Sequence, residues 1–331
     1  KSFRAGKENS NVSLNPALLW QPNERVSLEL NYERIDSEYH SDAGLPIFNG
    51  EVVNVPRTRS YQSPFDISEQ LLSRGRVDLN YLAGKNFTLR NKFYYTDLDW
   101  QSNGTLFNFA FPNAANSLDL YRTLTLLDDR QKLFGNQLEG LFDFHTGAVA
   151  HKLVTGFEYT RLADDFTFDV AFLPTIDVFN PQEFARPGQF DPRQALIPGQ
   201  SLVAEARHTV LAPYFVDQLT LSKQFYLLLG GRFDKIAYEE QNTKTERTYE
   251  KFSPMAGVTF APTNNFSLYA NYGRAFAPPS TLVIGERKAE ASTQYEIGFK
   301  RRYYDGRLHT TLALYDLKKE NIAIPNETGV L

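Results

Sequence analysis

Apolar and polar residues alternate one by one along much of this chain, and that alternation most limits what it can fold into. In VSLELNYE, Val26, Leu28, Leu30 and Tyr32 fall on one side, with Ser27, Glu29, Asn31 and Glu33 on the other. VDLNY repeats the scheme with Val77, Leu79 and Tyr81 against Asp78 and Asn80, and LHTTLALYDL sets Leu308, Thr310, Leu312 and Leu314 on one face. A period of two belongs to strands, and helical periodicity is nearly absent. About a dozen such segments occur, many reaching the ~10 residues of a membrane-crossing strand. In FYLLLGGRFDK, Phe225, Leu227, Leu229, Gly231 and Phe233 share one face. The other holds Tyr226, Leu228, Gly230, Arg232 and Asp234, a cation and an anion where a dry core would want neither.

The connections sharpen this. Short polar turns at 22–24, 84–86, 146–147, 222–223, 263–265 and 305–306 alternate with long connections at 36–68, 101–128, 163–205, 238–249 and 277–290. In an up-and-down meander, alternate connections lie at opposite ends. One end then carries tight turns and the other long loops, the asymmetry of outer-membrane barrels. No apolar run approaches the roughly 18 to 20 residues of a transmembrane helix. The 26 Phe and 18 Tyr acquire a purpose on this reading, as lipid-facing and interfacial rings around a wet lumen. A large soluble β-protein with a half-buried sheet is the rival. Asp217 fits badly, because it shares a face with Phe215, Leu219 and Leu221, and a β-bulge or a different pairing is expected to turn it inward. No domain boundary or flexible linker is visible.

Other classes find little support. Net charge is −4, without the basic excess that nucleic-acid binding would need. There is no cysteine for a disulfide, a metal or a thiol nucleophile. His40, His145, His151, His208 and His309 are scattered, with no metal spacing. No P-loop or dinucleotide fingerprint appears, and no motif supports a hydrolase triad, so no catalytic residue is assigned.

PYFVDQLTLSKQFYLLLGGRFDK (213–235) resembles a hairpin common in TonB-dependent outer-membrane receptors, and 251–279 and 291–322 resemble the next two. VPRTRSY (55–61), FTLRNKFYY (87–95) and IDVFNP (176–181) are similar to the ferric-siderophore branch of that family. GERKAEAST (285–293) departs from the family's usual Leu-Lys-Pro-Glu-like stretch and reads as loop variation. The resemblance implies an all-β fold: a transmembrane antiparallel up-and-down barrel of roughly 22 strands, filled by a plug. About 12 strands fit in residues 1–331, nothing here resembles a plug or TonB box, and the final NETGVL falls where an external loop belongs. The chain is therefore expected to be an internal part of the wall; a self-contained 12-stranded barrel is the alternative.

Implied with the family are residence in the bacterial outer membrane and import of a ferric siderophore, which carries the iron as ligand. No covalently bound cofactor and no enzyme activity are implied. Partners would be the TonB–ExbB–ExbD complex acting through the plug, outer-membrane lipid and lipopolysaccharide, with no nucleic acid. A passive porin or sugar channel, or a receptor for cobalamin, haem or glycans, remains open. Family members line their pocket from external loops, which points here to Tyr39, to Phe107, Phe109 and Phe111 read on one face, and to Phe166, Phe168 and Phe172. Girdle or loop-core packing is the plainer role for these rings. Arg57 and Arg59 could attract an anionic chelate, or could meet lipopolysaccharide phosphates or solvent. Tyr226, Arg232 and Asp234 are expected on the lumen wall, as an ion pair or facing the plug.

Overall fold

The computed structural model describes residue 4 and residues 6–278 and 288–322. Its strands are β1 (Asn9–Leu14), β2 (Ala17–Asn23), β3 (Val26–Tyr39), β4 (Ile47–Phe48), β5 (Glu51–Val52), β6 (Ile67–Gly84), β7 (Phe87–Pro112), β8 (Leu118–Thr146), β9 (Val149–Asp177), β10 (Leu202–Thr220), β11 (Phe225–Glu240), β12 (Thr245–Thr263), β13 (Phe266–Ala277), β14 (Glu290–Tyr303) and β15 (Leu308–Glu320). All but the small β4–β5 pair join one antiparallel sheet of 13 strands, in sequence order. β1 and β2 lie end to end along β3, parted at Pro16, so the sheet has twelve positions. The sheet is open: among the described residues, β15 does not pair with β1 or β2. The 285–287 part of GERKAEAST and all of NETGVL lie outside the described residues.

The tight turns fall where the turn residues stand. The long connections are shorter than expected at the other end. β7 and β8 continue to Pro112 and back from Leu118, and β11 and β12 leave only 241–244 between them. The connections 40–66 and 178–201 are long loops, and 278–289 is also long, with 279–287 outside the described residues. The sequence signal fails there because a strand with water on both sides has no reason to alternate apolar and polar.

Outward side chains mark the lipid belt. Phe93 and Phe134 meet edge to face at 5.2 Å, and Phe134 meets Tyr159 at 6.0 Å. One step beyond these rings, the same outward face carries Asp97, Lys132 and Arg161. β6 and β10 stay paired beyond this edge as far as Asn103 and Phe168, and β7, β8 and β9 then run on as a three-stranded extension.

Inward, the wall is polar and cross-braced. Arg232 Nη1 donates to Glu158 at 2.5 Å and its Nε to Asp234 at 2.7 Å. The Tyr94 hydroxyl donates to Glu158, and that of Tyr214 to Glu139 at 2.7 Å. Both rings lie flat across a glycine of the next strand. A Cβ on Gly135 would come within 2.2 Å of the Tyr94 ring, and one on Gly156 within 2.5 Å of Tyr214. Glycine is needed here for close approach.

Asp217 does not turn inward. The β9–β10 register runs unshifted from Leu202 to Thr220, so no bulge rotates it, and its pairing with β11 is as expected. Instead its carboxylate meets His151 Nδ1 at 2.7 Å, and the Phe144 ring stacks on that imidazole at 4.5 Å. The carboxylate is hydrogen-bonded in place, near the tight-turn end, where a bilayer tolerates a charge best.

Candidate ligand-binding site

The extension builds the site. Along β7, β8 and β9, inward positions continue the lumen face upward, and their character changes from charged to aromatic. Phe166 and Phe168 stack at 6.3 Å. Phe172, on the same face of β9, meets Tyr121 at 6.0 Å, and Tyr121 stacks on Phe109 at 5.0 Å. Phe111 lies 5.7 Å from Phe109. Phe109 is 56% exposed and Phe172 43%, so these rings offer area to a ligand as well as packing on each other. Tyr39, at the top of β3, sits opposite Ser68 on the inward side and is half-buried.

Phe107 does not belong to this group. The register shifts by one between Phe107 and Phe109, and the bulge at Asn108 sends Phe107 to the opposite face. There it meets Tyr61 edge to face at 5.9 Å, in a core with Leu120, Ile176 and Val178. The expectation that Phe107, Phe109 and Phe111 share one face is therefore corrected.

That second face is where the loops 40–66 and 178–201 dock. Arg122, with 0% exposure, donates to the carbonyls of Tyr61 at 2.8 Å and Pro174 at 3.0 Å. It also grips Glu183 with both Nη atoms, at 2.8 and 3.2 Å. The Tyr61 hydroxyl donates to Val178 O at 2.8 Å, and burial pushes its pKa up. Asp66 accepts from the Thr105 amide at 2.9 Å and from the hydroxyls of Ser63 and Thr105. Arg59 is committed to the carbonyls of Val178 and Phe179, at 3.0 and 2.9 Å, so it ties one loop to the other. Arg57 is exposed on its loop. The loops thus form one cap on the extension.

Below the aromatic rings lies a pair of acids. Asp129 and Asp164 stand on adjacent strands, on one face, offset by two residues. Asp129 is 6% exposed, and neither Oδ1 has a hydrogen-bond partner among the described residues. Burial and the neighbouring Asp129 push Asp164 up to about 6. Burial raises Asp129 as well. The two satisfy each other only when they share a proton. Trp100, directly opposite Asp129, also has an Nε1 without an acceptor among the described residues. No cluster of three or more metal-ligating side chains occurs among the described residues.

The lumen-wall residues sit lower. Arg232 and Asp234 are in the brace already described. Tyr226 is near the tight-turn end, its hydroxyl donating to Lys223 O at 3.1 Å. Sequence reasoning does not single out Trp100, Tyr121, Arg122, Asp129 or Asp164. The doublets Asp128-Asp129 and Asp164-Asp165, each preceded by an apolar residue, are the signal that could have found the acids.

The model of the TonB dependent receptor-like β-barrel family matches residues 9–330. Among curated relatives, the metal-pseudopaline receptor CntO of Pseudomonas aeruginosa is 27% identical over 99% of this chain and 48% of its own length. The ferrioxamine B receptor of Salmonella typhimurium is 24% identical over 95% and 45%. Among solved structures, the ferric-catecholate import receptor Fiu of E. coli superimposes with a TM-score of 0.83 at 20% identity, over 99% of this chain and 54% of that one. The ferripyoverdine receptor of Pseudomonas aeruginosa does so at 0.79 and 18%, over 99% and 44%. The chain spans about half the length of the curated relatives it matches. With nearly its whole length matched, this chain belongs to the TonB dependent receptor-like β-barrel family of bacterial outer-membrane proteins.

Proposed function

We propose that this chain forms wall and external mouth of a receptor that imports ferric siderophores across the outer membrane, with energy from the TonB–ExbB–ExbD complex. The observation that carries the reading is the inward aromatic face of the extension, Phe166, Phe168, Phe172, Tyr121, Phe109 and Phe111, standing directly above a polar lumen wall. Ferric siderophores are compact chelates with partly apolar rims, and exposed rings offer them area with little conformational entropy to lose. Relatives named as ferrioxamine, pyoverdine and catecholate siderophore receptors support the same class.

The mechanism is binding followed by translocation, with no bond made or broken. The aromatic mouth captures the chelate. The cap of residues 40–66 and 178–201, held by Arg122, keeps the extension's other face closed. A plug domain, belonging to the rest of the protein, gates the lumen and couples to TonB. The belt contacts lipid, and the outer polar rim contacts lipopolysaccharide. No covalently bound cofactor takes part; iron arrives and leaves inside its chelate.

Growth of a deletion strain on single ferric siderophores as the only iron source tests this. Growth should fail on at least one of them and return on complementation. Normal growth of the deletion strain on every siderophore would overturn the reading.

A further inference from the structure

The mouth also carries a charge. Arg4 and residues 6–15, 33–74, 96–133, 161–208 and 238–247 lie above the lipid belt and contain 23 Asp and Glu against 15 Lys and Arg. The whole chain is nearly balanced, with 39 and 35, so the acidic excess belongs to this end. Most of the bases there are already committed to the protein. Arg59 holds two loop carbonyls, Arg122 holds Glu183, Arg207 holds Asp165 at 2.7 Å and Arg130 pairs with Asp128. On the inward face of β6–β10 above the belt, the one arginine is Arg74, paired with Glu33 at 3.1 Å. The same inward face bears Asp129 and Asp164, with Glu240 level with Asp164 across β10.

Resting on the reading of this mouth as a ferric-siderophore site, we propose that its ligand is a ferric chelate without net negative charge. Hydroxamate-type donors fit this, because three singly charged hydroxamates just neutralise ferric iron. Three doubly charged catecholates leave a triply negative complex, which this mouth repels. An acidic funnel raises the local concentration of neutral or cationic ligands relative to anionic ones. Shared protonation of Asp129 and Asp164 removes one charge and leaves the excess in place. His208 does little to offset it, since burial pushes the pKa of its imidazole down.

The test uses the full-length receptor in a host lacking receptors for either probe. Radioiron is supplied as a ferric trishydroxamate or as a ferric triscatecholate at equal concentration. Initial uptake of the trishydroxamate should be faster by about tenfold or more. Equal or faster uptake of the triscatecholate would overturn the charge assignment while leaving siderophore import standing. Uptake of neither would refute the import reading itself, and this inference with it. A second measurement uses purified full-length receptor. Raising the salt concentration screens repulsion, so apparent affinity for the triscatecholate should rise, with little change for the trishydroxamate. An affinity for the triscatecholate that falls with salt would mean a positive site and contradict the proposal.

Discussion

Arg122→Met should release the loops 40–66 and 178–201 while leaving the barrel wall folded. The guanidinium is fully buried, and it supplies the carbonyls of Tyr61 and Pro174 and both oxygens of Glu183. Methionine fills much of the volume but donates nothing, so two carbonyls lose their donor and the Glu183 carboxylate keeps only the Ala185 amide. Removing one partner of a buried ion pair typically costs 3–5 kcal/mol. The Glu183 side chain keeps 22% exposure and can rehydrate in part, which argues for the lower end, about 3 kcal/mol. At about 1.4 kcal/mol per factor of ten, loop opening should become more frequent by roughly 100-fold. Hydrogen exchange on the full-length receptor reads this at the Phe172 amide, which donates to Ala195 O, and the Ile197 amide, which donates to Val170 O. Exchange in β11–β13 should not change. Arg122→Lys, with the charge but not the fork, should fall between. If protection at Phe172 and Ile197 stays within about threefold of the parent, Arg122 does not hold the cap and the reasoning fails.

Three further outcomes are expected. Asp164, held protonated up to about pH 6 by burial and by Asp129, stabilises the β8–β9 extension fully below its ordinary value of 3.8; this contribution is lost as pH rises through about 6. Hydrogen-exchange protection of residues 127–131 and 162–168 should therefore fall between about pH 5 and pH 7.5, and Asp164→Asn should flatten the profile. On the lipid face, His151→Ala leaves Asp217 unpaired and should lower the unfolding free energy of the full-length protein, read from its denaturant curve, by about 2 kcal/mol; the double change His151→Leu with Asp217→Leu should recover most of it. Phe109→Ala and Phe172→Ala should each weaken chelate binding about tenfold without altering loop exchange, whereas Phe107→Ala should loosen the cap, a split that titration and exchange together would reveal.

The part of the fold that contacts two different solvents was legible from the start. Phe225, Leu227, Leu229 and Phe233 face outward and Tyr226, Arg232 and Asp234 inward, because lipid on one side and water on the other impose a period of two. Above the belt that contrast disappears. The extension of β7 to β9 therefore reads as loop, although Leu118–Asp177 is strand apart from one tight turn. Contacts between distant residues were illegible for a different reason. Asp217 finds His151 on the neighbouring strand 66 positions away, and Arg122 finds Glu183 at 61. A one-residue bulge at Asn108 is likewise invisible in FNFAF, yet it separates a core ring from the ligand-facing ones. The aromatic content of the mouth was visible; its sidedness was not.

Radioiron transport in cells carrying the full-length receptor, with and without TonB, tests the account most directly. Uptake of a ferric siderophore should saturate, should depend on TonB, and should fall when Phe109 and Phe172 are both changed to alanine. Uptake that continues at the same rate without TonB, or that ignores those two rings, would contradict an energy-coupled receptor with its mouth on the inward face of the β7–β9 extension.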